Sequence, residues 1–288
     1  MILVTGATGT VGRLLVDRLV AEGAEVRAVT RDPRSAGLPD RVEVVEGDPS
    51  APGTVAPALA GCDGLFVNPR SVGTAAGELV SLAERRGVRR VVGLSATNVE
   101  DDLANQPSRY NGDRNKEVED AVTSSGMDWV SLRSSFFANN SIGMWAWQIR
   151  AGANLIRGPY AASAWAPIDP RDLADVGARA LLGGGLDDLA GRRLVLTGPQ
   201  SLAFEEMVAA IGDALGRHLS YQEVPTEAAK QGLVAHGLPE PFVAALLAVQ
   251  AEAARQPAFV SGEVEKVLGR PARSFARWAA DHAAEFRN

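Results

Sequence analysis

Cysteine is almost missing from this chain of 288 residues: Cys62 stands alone. No intrachain disulfide can form, and a reducing compartment fits that scarcity. The three histidines, His218, His236 and His282, all lie in the C-terminal part and share no metal-ligand spacing with the cysteine, which argues against a zinc site. Long apolar runs are absent too. No segment approaches the roughly 20 residues that a membrane span needs, and Met1 leads straight into a strand-like run, leaving no room for a signal peptide. Basic residues do not dominate: 29 Lys and Arg face 35 Asp and Glu, for a net charge of −6. That balance disfavours a nucleic-acid or anionic-membrane partner. The chain reads as soluble and cytoplasmic; a small-molecule partner and a monomer or homodimer are expectations that composition alone does not supply.

The residues that are present alternate. Ile2-Leu3-Val4 reads as a short buried strand, and Val11, Leu14, Leu15 and Leu19 then recur at helical spacing up to Gly23. Further strands are expected at 25–29, 42–45, 65–67, 91–94 and 129–132, with helices at 74–86 and 115–123 between them. Strand–helix alternation of this kind predicts an α/β fold, a doubly wound parallel sheet covered by helices on both faces. After about residue 135 the rhythm changes to an aromatic-rich stretch holding Trp145, Trp147 and Trp165, three of the five tryptophans. "RRLVLTG" reads as one more strand returning to the sheet, Gly183-Gly184-Gly185 as a surface turn, and 201–215, 226–234, 239–255 and 273–286 as helices. The expected division is residues 1–135, with 166–198 returning to them, against a smaller, mainly helical domain of 136–165 and 199–288.

"VTGATGTVG" places Gly6, Gly9 and Gly12 between the first strand and the first helix. Gly6 has no Cβ to forbid a positive φ and can turn sharply off the strand. Gly9 lets the backbone approach a pyrophosphate, and Gly12 lets the helix pack tightly on the sheet. Free N–H groups and the positive helix end then face the phosphates, with the Thr8 and Thr10 hydroxyls alongside. In this context the triplet reads as a Rossmann-type dinucleotide site. The spacing is G-x-x-G-x-x-G, which points away from medium-chain dehydrogenases. Strand two ends "VTRDP": Arg31, with Arg34 three residues on, suits a 2′-phosphate and favours NADP(H) over NAD(H). Asp32 is the counter-argument, either as a ribose-binding acid or as a turn residue before Pro33. At the other strand ends, Asp48 can accept the adenine amino group or open a turn in "GDPS", and Asn68-Pro69 is expected beside the nicotinamide ribose.

Together "TGATGTVG", "VTRDP", "VEGDPS", "VVGLSA", "SGMDWVSLRSSFFANN" and "APIDPRDLADVGARAL" resemble the NmrA-like branch of the atypical short-chain dehydrogenase/reductases. The likeness runs from residue 1 to about 200 and more loosely onward. It implies cofactor contacts at Gly6, Thr8, Gly9, Thr10, Val11, Arg31, Asp48, Asn68 and Pro69. "LRSSFFANN" looks like the family's loop over the nicotinamide, which puts Ser134, Phe136 and Phe137 near the cofactor and Asn139 and Asn140 close by. The family includes NADPH-dependent quinone, enone and imine-type reductases, as well as members that bind the cofactor as sensors.

Typical short-chain reductases protonate the carbonyl with a Tyr-x-x-x-Lys pair; in register, those positions fall here on Asn111 and Asn115. Tyr110 and Arg114 have the i, i+4 spacing one residue out of phase, which turns a helical side chain by about 100°. Asn115 stands where many relatives carry His or Lys; it can hydrogen-bond a substrate carbonyl but cannot exchange a proton. Ser95, Tyr110 and Asn115 are therefore the polar residues expected near the reacting atoms. Phe136, Phe137, Trp145, Trp147, Tyr160 and Trp165 read either as an apolar wall for a planar substrate, with Asn139 beside it, or as core. Orientation alone accelerates hydride transfer to a conjugated acceptor, the proton coming from water. The leading expectation is an NADPH-dependent oxidoreductase acting on a quinone, enone, ketone or imine. A non-catalytic redox sensor engaging a protein partner and a redox-neutral isomerase or cyclase are the alternatives.

Overall fold

β1 (Ile2–Val4) is buried along its whole length and leads through the glycine elbow into α1 (Thr10–Ala21). The computed structural model describes residues 1–182 and 189–287; the Gly183-Gly184-Gly185 turn lies outside them. After α1 come β2 (Val26–Thr30), β3 (Glu43–Glu46), β4 (Gly64–Val67), α2 (Pro69–Val72), α3 (Ala76–Arg85) and β5 (Arg90–Ala96). A short helix, α4 (Pro107–Tyr110), precedes α5 (Asn115–Thr123) and β6 (Asp128–Ser134). The chain continues through α6 (Asn140–Arg150), β7 (Leu155–Gly158), β8 (Ala164–Trp165), α7 (Pro170–Leu182), β9 (Arg192–Leu196) and β10 (Leu202–Ala203). It ends with α8 (Phe204–Leu215), β11 (Ser220–Glu223), α9 (Thr226–Ala235), α10 (Glu240–Ala253), α11 (Glu263–Leu268) and α12 (Phe275–Asp281).

Among the described residues, seven strands form one sheet in the order β3-β2-β1-β4-β5-β6-β9. Every pairing from β3 across to β6 is parallel. This is the doubly wound Rossmann-type sheet that the alternation predicts, and β9 is the strand expected in "RRLVLTG". The chain divides into two compact units. The first comprises Met1–Glu100, Asn111–Ser134 and Pro170–Val195; the second comprises Asp101–Tyr110, Ser135–Asp169 and Leu196–Asn288. Relative to the expected boundaries, residues 101–110 group with the second unit, because α10 packs on α4 and on the turn Leu103–Asn105.

In the first unit, the core joins Leu3, Val29, Leu65, Val67 and Val91 of the strands to Leu59, Leu79, Val118 and Val122. Interior strands such as β4 are buried on both faces and therefore read as unbroken apolar runs, whereas the edge strand β3 is half exposed. α1 packs with α7, and α3 packs with α5. A Cβ at Gly93 would lie 3.0 Å from Val122 Cγ2 and 3.1 Å from Val118 Cγ1, so this glycine lets α5 settle directly onto β5.

The second unit has two small sheets, β7 parallel to β11 and β8 antiparallel to β10. Its core gathers Trp145, Ile149, Ile156, Phe204, Met207, Ile211, Phe275 and Trp278. Helix α6, inside the aromatic-rich stretch, and the short α11 have no counterpart among the expected elements. The expected helix at 273–286 resolves into α12 and the 3-10 turn Ala283–Phe286. Among the described residues, no helix is long and apolar enough to cross a membrane.

Candidate functional site

The elbow after β1 is tied to β4 by a residue the motif did not single out. Thr5 Oγ1 donates to the Phe66 carbonyl at 2.9 Å and accepts from the Asn68 N–H at 2.9 Å. Gly6 then turns at φ +63°, and a Cβ there would meet the Asn68 side chain at 2.8 Å. The Gly9 N–H closes the turn on the Gly6 carbonyl at 3.0 Å. Gly12 is needed for a reason other than sheet packing: its Cβ would lie 2.1 Å from the Gly6 carbonyl oxygen. Thr8, Gly9 and Thr10 are exposed, while the Val11 side chain is buried in the core, so Val11 can offer a ligand only its N–H. No side chain caps α1, and the amides of a first helical turn have no intrahelical acceptor. An end of that kind, open to solvent, can take an anion.

Beyond β2, Arg31 and Arg34 are exposed and make no side-chain hydrogen bond or ion pair among the described residues. Asp32 takes the turn role: its Oδ1 accepts the Arg34 N–H at 3.0 Å and caps the turn Pro33–Ser35. Asp48 Oδ1 accepts from the Ser50 hydroxyl at 2.7 Å and the Ser50 N–H at 2.9 Å. Those two bonds, with the charge of Arg31 assisting, hold the Asp48 carboxyl below the usual range.

At the end of β4, Asn68 Oδ1 accepts the N–H groups of Arg70 at 3.1 Å and Ser71 at 3.3 Å, capping α2 behind Pro69. The Arg70 guanidinium grips Asp113 with two prongs, 2.9 and 3.0 Å, and so ties α2 to the segment that leads into α5. Asn115 is the first residue of α5 and is buried.

One turn further along α5, Glu119 is the centre of a buried network absent from the expectations. Ser95 Oγ and Ser131 Oγ donate to its Oε2 at 2.7 and 2.6 Å. Arg133 Nε donates at 3.1 Å and Arg193 Nε at 3.2 Å. Arg133 also reaches Glu100 at 2.6 Å. Burial pushes the Glu119 carboxyl up, but the bonds from Arg133, Ser131 and Ser95 outweigh it and hold the pKa down at about 2. The signal was a carboxylate on the same face as Val118 and Val122, where an unpaired charge does not survive.

Two of the residues expected near the reacting atoms, Ser95 and Tyr110, make other contacts in the structure. The Ser95 hydroxyl is committed to Glu119, while its carbonyl accepts from Ser134 Oγ at 2.9 Å, so Ser95 braces the ends of β5 and β6. Tyr110 belongs to α4 in the second unit, is 41% exposed, and donates to the Ala104 carbonyl at 3.3 Å. Gly112 breaks the chain with φ +94°, and Arg114 is only the N-cap of α5. Tyr110 and Arg114 therefore share no helix, and their i, i+4 spacing sets up no pair.

The second unit sorts the expected wall residues. Phe136 and Trp165 lie 5.1 Å apart, both against Phe204, with Trp165 and Phe204 stacked at 6.4 Å. Trp145 meets Phe204 edge-on at 5.4 Å and lies in the core of the second unit. Asn139 is spent structurally: its Oδ1 accepts Trp278 Nε1 at 3.1 Å. Phe137 is half-buried and its backbone bridges to Ile168. Trp147 stands apart, 55% exposed beside the His236 ring. Tyr160 is half-buried and holds a φ of +50°, which non-glycine residues rarely adopt. His236 Nδ1 lies 2.7 Å from the Gly232 carbonyl, and His282 stacks on Trp278 at 4.7 Å. Burial pushes the Cys62 thiol up, the opposite of nucleophile activation. Among the described residues, no three His, Cys, Asp or Glu side chains are grouped to hold a metal.

The comparisons with known proteins agree with this geometry. The NAD(P)H-binding family pattern matches residues 6–178. The chain is 35% identical over 288 residues to a (4-alkanoyl-5-oxo-2,5-dihydrofuran-3-yl)methyl phosphate reductase of Streptomyces griseus, covering 99% of each. It is 35% identical over 295 residues to an NAD(P)H azoreductase of Xenophilus azovorans, again covering 99% of each. The solved structure of an NADPH-dependent quinone oxidoreductase from Escherichia coli, complexed with NADPH, shares the fold at a TM-score of 0.81 and 20% identity, over 98% of this chain and 99% of that one. A structure of NmrA, a negative transcriptional regulator, in complex with NAD shares it at a TM-score of 0.74 and 17% identity, over 97% of this chain and 94% of that one. With its elbow, its sheet order and these full-length relatives, the chain belongs to the NAD(P)H-binding family.

Proposed function

We propose that this protein is an NAD(P)H-dependent reductase of a conjugated small molecule, such as a quinone, enone, ketone or imine, and that it prefers NADPH. The single observation that carries the reading is the elbow itself. Gly6, Gly9 and Gly12 leave a bare, exposed helix N-terminus where any side chain at Gly12 would collide with the Gly6 carbonyl. Identity of 35% over the full length of two reductases supports the reaction class.

In this reading the first unit is the nucleotide-binding domain. The N–H groups at Thr10, Val11 and Gly12 hold the pyrophosphate, and the Thr8 and Thr10 hydroxyls add bonds to it. Arg31 and Arg34 take the 2′-phosphate, since both guanidinium groups are exposed and make no hydrogen bond or ion pair among the described residues, while Asp32 is occupied in capping a turn. Asp48 faces the adenine side with its ionised carboxylate. Asn68 and Pro69 hold the loop at the nicotinamide ribose. The reduced nicotinamide, when bound, supplies the hydride. Asn115 donates a hydrogen bond to the acceptor oxygen and polarises it, and the proton that completes the reduction comes from solvent, because Asn cannot release one. In the second unit, the half-buried rings of Phe136, Phe137, Tyr160 and Trp165 keep an aromatic surface suited to a flat acceptor.

Incubating the purified protein with NADPH and, in turn, menadione, an azo dye and an alkanoyl furanone tests this. Consumption of NADPH with at least one acceptor, faster than with NADH, is the expected result. Persistent NADPH across the panel overturns the reductase reading. The absence of a Tyr-x-x-x-Lys pair in α5 favours one rival, a redox sensor, and tight NADPH binding without turnover is its signature.

A further inference from the structure

Arg13 is the one basic residue in the first turn and a half of α1, and its guanidinium is held by main-chain carbonyls. Nη1 donates to the Gly37 carbonyl and Nη2 to the Ala36 carbonyl, both at 2.6 Å. It makes no ion pair among the described residues. These acceptors lie midway along the segment between β2 and β3: Asp32 caps its turn at Pro33–Ser35, Ala36 is buried, and Gly37 holds a φ of +55°. The loop is thus held twice, by Asp32 from within and by Arg13 from the helix that carries the glycine elbow. Arg34 stands between those ties and Arg31 just before the first, and among the described residues neither guanidinium makes a hydrogen bond or ion pair that would fix it.

We infer that Arg13 is a positioning residue for cofactor choice: its two-pronged grip on Ala36 and Gly37 sets the loop so that Arg34 meets a 2′-phosphate. The inference rests on the NADPH preference proposed above. A fork with two parallel donors suits two adjacent carbonyls, and a planar guanidinium keeps that geometry where a flexible ammonium does not. In the reading proposed above, the pyrophosphate is held by N–H groups of the elbow, which this loop does not supply. Arg13 therefore acts on NADPH and leaves NADH alone, which no general weakening of the fold would do.

The test is equilibrium binding of NADPH and NADH to the full chain with Arg13→Met, Arg13→Lys, Arg34→Met and the Arg13→Met/Arg34→Met double variant. Arg13→Met is expected to raise the NADPH Kd about tenfold and to leave the NADH Kd within about twofold, the unchanged NADH binding reporting an intact fold. Arg13→Lys should restore only part of the loss. In the double variant the second substitution should add little, because Arg34 without its loop is already misplaced. Full additivity overturns the positioning role and leaves two independent charges. An Arg13→Met variant that keeps the wild-type preference, or that loses both cofactors equally, also overturns it. A wild-type chain that binds NADPH and NADH alike overturns the NADPH reading and this inference with it.

Discussion

At the strand ends of the first unit, Glu119 gathers two serine hydroxyls and two guanidinium groups at hydrogen-bond distance. In the second unit, Phe204 gathers the rings of Phe136, Trp145, Trp165 and Tyr221, at centroid distances of 5.4 to 6.4 Å. Both centres are buried and both draw on distant parts of the chain. They differ in what they demand of a neighbour. The carboxylate needs particular donors at particular angles, and removing one partner strands a charge. The aromatic cluster needs volume and shape, and a partner of similar size can replace another. A polar centre of the first kind fixes α5 against the ends of β5 and β6.

The largest expected effect breaks the aromatic centre outright. Phe204→Ala should cost about 4 kcal/mol in urea unfolding, through lost burial and the cavity left behind. Phe204→Leu should cost only about 1 kcal/mol, since most of the volume stays. Equal losses for the two would erase the shape argument. Glu119→Ala should cost about 3 kcal/mol, and Glu119→Gln nearly as much, because an amide cannot neutralise Arg133. If the isosteric Gln is tolerated as well as Leu is at 204, the contrast between the two centres is wrong.

Acid titration sharpens the same contrast. The folded Glu119 pKa of about 2 lies below its ordinary value of 4.5. A depressed carboxylate pKa contributes stability that is full above the unfolded value and is lost as pH falls from about 4.5 toward 2. That contribution is on the order of 3 kcal/mol. Glu119→Gln should flatten the acid limb of the stability–pH curve, and Phe204→Leu should leave it unchanged. The smallest effect is expected at the surface: Trp147→Ala should shift stability by about 0.5 kcal/mol or less, since the residue is 55% exposed beside the His236 ring. A loss near that of Phe204→Ala would place Trp147 in a core the structure does not show.

Legibility from sequence followed the range of the forces involved. Strands β1 to β6 and the longer helices α1, α3 and α5 were signalled by their own period, with ends displaced by a residue or two where fraying and pairing decide them, whereas the single-turn helices α2 and α4 were not. Gly6 was legible because a positive φ is a local steric matter. The choice between acid and turn for Asp32 was posed by its neighbour Pro33 and resolved by a bond two residues away. Helix α6 was not legible: with Trp145, Ala146 and Ile149 inward but Trp147 outward, its aromatic residues do not mark one face.

By itself, the chain's local order determined the α/β alternation, the elbow with its bare helix end, and the two arginines placed after β2. All of these follow from backbone sterics and hydrophobic period acting over a few residues. Tertiary structure decided the partners. Ser95 went to Glu119, Asn139 to Trp278, Tyr110 to a helix of its own, and Arg13 to carbonyls 23 and 24 residues away. Hydrogen bonds and ion pairs join whatever the fold brings within about 3 Å, and separation along the chain carries no record of that meeting.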